Sequence, residues 1–437
     1  MLRKIISILV VAATLLLCGC ELGTIDKLYH VPRRSEDDNN LQAAISGAMS
    51  EMEYCAPVSG ENQQIVQSVD LTGDGVKECL VFAKDSGSLP LHILVFALKQ
   101  DTYVHIDTVD LVGSAFDKVE YAQIDGIGGA EIIVGTQVSE QLSGSAFMFS
   151  FSDGEARQLV NADYRYWRTV DLDRNGMSEL FVLTSGPTES DRGVVALYSV
   201  RSGIVERSVE VAMSEPAENL KRVLVGKLQN GIPAVFVAGA VDDRALITDI
   251  YAISDGVFTN VTLSSESGSS VQTMRNHFVY ADDIDGDGII ELPKLMPMRA
   301  IDMTNPEGIE NLVDWYALTL NGEKVHKIYT YHNFLGGWYC EVRDTLAENI
   351  SVIDLGTVSD FYVWQGNQPV KAFSIYTLTG QSREAQSTQG SRFVLHKTET
   401  VIYSAQLHEG SVQAEITQQD LLSCFHLVKQ QWNTGET

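Results

Sequence analysis

The chain has 437 residues, of which 58 are Asp or Glu and 31 are Lys or Arg, so its formal net charge is −27. This acidity disfavours nucleic acids and anionic lipid headgroups as partners, because both would repel the protein, whereas it is compatible with cation binding. The length exceeds that of one ordinary domain and predicts either a repeat array or two domains.

The first twenty residues predict an export signal. Arg3 and Lys4 precede an apolar run over 5–17, which is shorter than the roughly 20 residues that span a bilayer. The run leads into Leu17-Cys18-Gly19-Cys20, which resembles the lipobox of bacterial lipoproteins. The resemblance implies that residues 1–19 are removed and that Cys20 is acylated, which anchors the chain on the extracytoplasmic face of a membrane. The alternative is an ordinary signal peptide with chance cysteines.

A polar segment follows, and we predict that residues 20–40 form a tether. Apolar residues then recur at helical spacing from Leu41 through Ile45 to Met52, which predicts an amphipathic helix at about 41–54. This helix and a lead-in occupy residues 41–63.

Residues 64–331 contain a repeat with a period of about 50 residues. A related nonapeptide recurs between two β-rich runs, and its five copies cover 70–78, 123–131, 171–179, 226–234 and 283–291. The runs between copies are short and rich in Val, Ile, Tyr and Phe, about four to each period. This length and strand number are typical of a propeller blade. We therefore predict a mainly β fold with a β-propeller of about five four-stranded blades; an open β-array or sandwich is the alternative.

The array resembles the FG-GAP/VCBS repeat family. The resemblance depends on the Asp-x-Asp-x-Asp-Gly-x-x-acid pattern, which is most complete at 283–291, although Glu stands at the ninth position where the family usually has Asp. It implies a propeller architecture and a cation-binding loop between the first two strands of each repeat. The Phe-Gly and Gly-Ala-Pro signatures of the family are missing, so no adhesive role is carried over.

These loops also predict Ca²⁺ sites on chemical grounds. Ca²⁺ takes six to eight oxygen ligands, and a tight loop supplies them from alternate residues. Three copies have enough oxygen ligands; the copy at 123–131 retains only two carboxylates and the copy at 226–234 has none, so both are predicted turns. The predicted ligands are Asp283, Asp285, Asp287 and Glu291; Asp171, Asp173, Asn175 and Glu179; and Asp70, Asp74 and Glu78. The alternative for every copy is an ordinary hairpin turn.

After residue 331 the pattern changes, and residues 332–437 predict a separate small α+β domain. It contains β-rich runs and a helix that begins after Thr417, whose side chain is suited to cap it. Four cysteines lie beyond the lipobox: Cys55, Cys79, Cys340 and Cys424. Shortest-loop pairing would join Cys55 to Cys79 and Cys340 to Cys424, but sequence also allows other pairings or free thiols.

No HExxH, GxSxG, P-loop or dinucleotide-binding pattern occurs in the chain. We therefore predict a membrane-anchored extracytoplasmic binding module with Ca²⁺-stabilised loops, whose partner is an unknown envelope protein or glycan and not nucleic acid. One alternative is a glycan-active hydrolase or lyase on a propeller scaffold. The other is a scaffold subunit of an envelope complex.

Overall fold

A computed structural model of the chain describes residues 36–49, 51–138, 143–188, 190–201, 204–276, 279–301 and 310–429. The fold is mainly β, and the described residues form six antiparallel sheets that follow one another along the chain. Helix α1, Glu36–Ala48, precedes them. It begins and ends earlier than the predicted helix at 41–54 and includes residues that we assigned to the tether.

The first three sheets each contain four or five strands. Sheet 1 contains β1 Glu53–Tyr54, β2 Val66–Val69, β3 Glu78–Lys84, β4 Leu91–Lys99 and β5 Thr102–Leu111. Sheet 2 contains β6 Ala115–Ala122, β7 Glu131–Gln137, β8 Gly144–Ser150 and β9 Arg157–Tyr164. Sheet 3 contains β10 Tyr166–Val170, β11 Glu179–Thr184, β12 Val194–Arg201, β13 Ile204–Arg207 and the short β14 Val211–Ala212. The prediction of about four strands to each period is confirmed in these sheets.

The remaining sheets continue the pattern. Sheet 4 contains β15 Leu220–Leu228, β16 Ile232–Ala240, β17 Leu246–Ser254 and β18 Val257–Asn260. Sheet 5 contains β19 Leu292–Pro297, β20 Asn311–Leu318, β21 Lys324–Asn333 and β22 Trp338–Val342. Sheet 6 contains β23 Ile350–Asp354, β24 Val358–Gln365, β25 Gln368–Leu378, β26 Phe393–Lys397 and β27 Ile402–Leu407, in the order β23-β24-β25-β27-β26.

Each sheet shares an apolar core with the next one. In β11, for example, Leu180 and Val182 pack toward sheet 2, while Phe181 and Leu183 pack toward sheet 4. Successive side chains of a strand point to opposite faces, so a sheet covered on both faces needs apolar residues at nearly every central position. The unbroken Leu-Phe-Val-Leu run of β11 meets this requirement.

The outer face of sheet 1 is covered by α1 instead of another sheet. Ile45 of the helix packs against Leu94 and Phe96, on the face opposite the core shared with sheet 2. Within the described residues, no apolar core joins sheet 1 to sheet 6.

The described part of the last hundred residues contains four short helices: α2 Asp344–Ala347, α3 Arg383–Ser387, α4 Glu409–Gln413 and α5 Gln418–Cys424. The predicted Thr417 cap is confirmed, because its side chain accepts a hydrogen bond from the Asp420 N–H in a capping box. The helical spacing of apolar residues continues from Leu421 to Val428, but the helix ends at Cys424. Phe425–Leu427 forms strand β28 instead, pairs with β22 and completes sheet 5.

This pairing bears on the predicted division at 331/332. Both residues lie inside β21, and sheet 5 combines strands from the two sides of that position. The core between sheets 5 and 6 likewise joins Leu312 and Tyr331 to Trp338 and Phe361. A cut at residue 331 would thus divide one sheet and one core, which leads us to expect that a fragment of residues 332–437 does not fold alone.

The four cysteines are free thiols in the structure. The Cys55 N–H donates to the Phe82 carbonyl, three residues along β3 from Cys79, which is about 10 Å of strand. A disulfide requires Cα atoms within about 7 Å, so Cys55 and Cys79 cannot pair without moving the backbone. Cys340 and Cys424 do contact each other through their thiols, and burial is the main cause that raises the pKa of Cys340.

Candidate functional site: the acidic loops

The repeated nonapeptides lie at equivalent places in the sheets. Loop 70–78 joins β2 to β3, loop 123–131 joins β6 to β7, and loop 171–179 joins β10 to β11. Loop 283–291 precedes β19 and is closed by a two-residue bridge between Asp282 and Glu291. The copy at 226–234 is instead a tight turn between β15 and β16. The first four are called the acidic loops below.

A glutamate closes every acidic loop in the same way. The buried carboxylate at the ninth position accepts a hydrogen bond from the N–H of the second residue, at 2.7–3.1 Å, in Glu78, Glu131, Glu179 and Glu291. The glutamate side chain, which is one methylene longer than that of aspartate, reaches back across the loop to make this contact. The ninth position therefore has a structural role that the sequence pattern did not reveal.

The first position also holds the loop together. In loop 283–291 the two carboxylate oxygens of Asp283 accept hydrogen bonds from the N–H groups of Gly286 and Gly288, at 2.7 and 2.9 Å. Gly288 has φ of 81°, a conformation that favours glycine because it has no Cβ. The same position in loop 171–179 is Gly176, whose N–H donates to Asp171 at 3.1 Å.

Loop 171–179 brings three predicted ligands together. Oxygens of Asp171, Asp173 and Glu179 lie within 4.8 Å of one another. Asp171 Oδ1 is buried and has no hydrogen-bond partner among the described residues. Asn175, the fourth predicted ligand, makes hydrogen bonds within the loop: its amide donates to Asp173 at 3.0 Å and its oxygen accepts from the Met177 N–H. A dication would suit this set, since buried carboxylates are costly unless they are paired or bind metal.

Loop 283–291 brings Asp283, Asp285 and Asp287 within the same 4.8 Å. A cation already lies beside them: Lys327 Nζ is 2.6 Å from Asp287 Oδ2 and 3.9 Å from Glu291 Oε1. The Lys327 ammonium lowers the pKa of Asp287 by hydrogen bonding to it. Lys327 lies on β21, 40 residues away in sequence, so the nonapeptide pattern could not predict this neighbour.

In the remaining two acidic loops, most polar side chains are hydrogen-bonded to other groups of the same loop. In loop 70–78, Asp70 accepts from the N–H groups of Gly73 and Gly75, Asp74 accepts from Val76, and the Thr72 hydroxyl donates to Glu78 at 3.4 Å. In loop 123–131 the Gln123 amide takes the first position and donates to two backbone carbonyls. Neither set appears as a close cluster of three carboxylates within the described residues.

Three of the closing glutamates have perturbed pKa values. Burial first, and neighbouring aspartates second, raise the pKa of Glu131, Glu179 and Glu291 from 4.5 to about 7. A nearby cation would reverse this effect by favouring the ionised form. An added positive charge would therefore stabilise the ionised carboxylates of loops 171–179 and 283–291.

Several tryptophan and histidine side chains of sheets 5 and 6 contact other groups of the protein. Trp315 and Trp338 are fully buried, while Trp364 stacks on the Arg299 guanidinium at 3.7 Å. His332 is buried, which lowers its pKa to about 3. His326 bonds to Asp314 at 2.6 Å. Cys20 lies outside the described residues. No helix within the described residues is long and apolar enough to cross a membrane.

Comparisons with known proteins do not assign the chain. No protein-family model matches it, and no curated protein matches it. Among solved structures, a rhamnogalacturonan lyase, YesW, is 13% identical over 70% of each chain, with a TM-score of 0.30. A protein from Lactobacillus plantarum is 10% identical over 74% of this chain and 94% of its own, with a TM-score of 0.25. A GDP-Man-dependent mannosyltransferase from Leishmania mexicana is 9% identical over 77% and 92%, with a TM-score of 0.19. Scores this low carry no argument about fold or activity.

Proposed function

We propose that the chain is a lipid-anchored extracytoplasmic binding module with a propeller-like array whose loops are stabilised by Ca²⁺. The observation that carries this proposal is loop 171–179, where Asp171, Asp173 and Glu179 converge within 4.8 Å and a buried Asp171 oxygen has no hydrogen-bond partner among the described residues. Oxygen ligands from a tight loop are what Ca²⁺ prefers. Loop 283–291 is the second site in this proposal, and loop 70–78 is a weaker third.

The propeller-like arrangement is supported by the sheets themselves. The six antiparallel sheets of the described residues follow in chain order, and each shares a core with the next one. Stacking of this kind buries both faces of the inner sheets and leaves loops at the sheet ends free to bind a partner. The closure of the array and its blade number belong to the proposal.

A calcium titration tests the loops directly. Calorimetry on chelator-treated protein should give a stoichiometry of two to three, with dissociation constants of roughly 0.1–1 mM, as in extracellular modules. Asp171→Asn should remove one site while leaving the others unchanged. Zero heat of binding up to several millimolar Ca²⁺ would remove the metal from the proposal.

The anchor is tested separately in cells. The lipobox at 17–20 leads us to expect that the parent protein fractionates with membranes, whereas Cys20→Ser appears in the soluble or unprocessed pool. Cys18→Ser is the matched control, since it changes a neighbouring thiol that does not become the acylated one. Acylated, membrane-bound Cys20→Ser protein would contradict the anchor.

A further inference from the structure

A polar cavity of about 370 Å³ lies where sheet 4 meets sheet 5. Its wall includes Arg275 from a segment bridged to the start of β17, together with Lys294 of β19 and Tyr316 of β20. Amide side chains of Gln272, Asn276 and Asn311 also line it. The cavity size is within the range of small-molecule sites.

The cavity concentrates positive charge in a protein whose net charge is −27. Lys324 lies beside the cavity and contacts two residues of its wall: its ammonium lies 4.5 Å from the centre of the Tyr316 ring and donates to the Gln272 carbonyl at 3.3 Å. Burial, and then the charge of Lys294, lowers the pKa of Lys324. Lys294 and Lys324 are therefore close enough to repel each other, an arrangement that an anion between them would relieve.

Arg275 is the most unusual of the three cations because it is 5% exposed and forms no ion pair with a carboxylate in the described part of the chain. Its Nη1 donates to Thr248 Oγ1 at 3.0 Å and to the Thr273 carbonyl at 3.1 Å, and its Nε donates to the Val279 carbonyl. Nη2 has no hydrogen-bond partner among the described residues. Buried charges are normally paired.

A second buried arginine, between the same two sheets, does have a carboxylate partner. Arg222 donates to the Ala281 carbonyl and also lies 3.8 Å from the Asp282 carboxylate. Asp314 lies opposite Lys294 in the β19–β20 pair and raises the pKa of Lys324, but it is itself hydrogen-bonded to His326 at 2.6 Å. The cations of the cavity thus exceed the carboxylates that could neutralise them.

We propose that this cavity binds the oxyanion group of a small polar ligand, with Arg275, Lys294 and Lys324 supplying the positive charge. Carboxylate, sulfate and phosphate share this chemistry, and guanidinium and ammonium groups are the usual partners of all three. The lining amides would bond to the neutral part of the ligand. This names a ligand class for the proposed binding module and depends on that function, but it does not depend on Ca²⁺.

The test is a calorimetric titration of the full chain in detergent, in metal-depleted buffer of low ionic strength. The probes are inorganic phosphate, inorganic sulfate and D-glucuronate, with D-glucose as the neutral match for glucuronate. We expect saturable binding of at least one anion and none of glucose. The strongest of the three anions identifies which oxyanion the cavity prefers.

The variant Lys294→Gln/Lys324→Gln should weaken this binding by about three- to ten-fold, while Lys221→Gln, an exposed lysine of sheet 4 outside the cavity, should leave it unchanged. Both lysines of the double variant are exposed, so folding should survive, and a parent-like melt verifies this. The proposal is overturned if no anion binds, or if the folded double variant binds as tightly as the parent. Because Ca²⁺ is absent throughout, such a failure would leave the calcium loops untouched.

Discussion

The same Asp→Asn substitution at the third position of two acidic loops distinguishes a loop that binds Ca²⁺ from a loop that is only a turn. Asp173→Asn keeps an oxygen that can accept from the Asn175 N–H, now at 3.0 Å, but removes a charge from the group of three ligands in loop 171–179. Asp125→Asn makes the same change in loop 123–131, where Asp125 accepts from the Ile127 N–H at 2.7 Å and from Ser150 at 3.2 Å. Only the first change should alter the response to Ca²⁺.

The size of that response follows from mass action. A site with a dissociation constant of roughly 0.1–1 mM contributes about 0.6–1.8 kcal/mol of stability at about 2 mM free Ca²⁺. For a chain of this length, this corresponds to about 1–4 °C in melting temperature, depending on how much of the chain unfolds together. Asp173→Asn should lose the increment from its loop and keep that from loop 283–291.

The assay is a thermal melt of the parent and both variants, in chelator and in about 2 mM Ca²⁺. Asp125→Asn should lower the melting temperature equally in both buffers, because it weakens contacts to Ser150 and Arg157 without removing a metal ligand. The reasoning would be refuted by identical parent melts in the two buffers. It would also be refuted if Asp173→Asn responded to Ca²⁺ as fully as the parent.

Three further predictions concern pH, the Lys327 ammonium beside loop 283–291 and the C-terminal segment. Burial raises the pKa of Glu131 to about 7. The stability that protonated Glu131 contributes is therefore complete below about pH 4.5 and is lost as pH rises through 7. In chelator, Glu131→Gln should reduce the parent's loss of unfolding free energy between pH 5 and 8 by about 1–3 kcal/mol, measured by denaturant unfolding. An unchanged pH profile would contradict this. Lys327→Gln removes the ammonium 2.6 Å from Asp287 and should tighten Ca²⁺ binding at loop 283–291 by about two- to five-fold. The measurement is calorimetry in an Asp173→Asn background. Weaker binding would show that the lysine supports the site. A fragment of residues 332–437 lacks β19, β20 and most of β21 and should be unfolded by circular dichroism; a cooperative melt would instead support the division at 331/332.

The sequence by itself determined the local features of this protein. Strand positions, the loops between them and the Thr417 cap were predictable, because alternation of side chains, turn-forming residues and capping pairs act over only a few residues. The spacing of Asp171 and Asp173 similarly indicated that their side chains would share one side of a tight loop, which the structure brings within 4.8 Å together with Glu179.

Contacts between distant segments were decided only by the tertiary structure. Lys327 reaches loop 283–291 from another strand, and Phe425–Leu427 leaves its helical pattern to pair with β22. Arg275 and Lys294 meet at one cavity because sheets 4 and 5 pack together there. Such neighbours depend on which faces become buried against each other, and a single sequence gives the apolar character of a face without identifying the face that covers it.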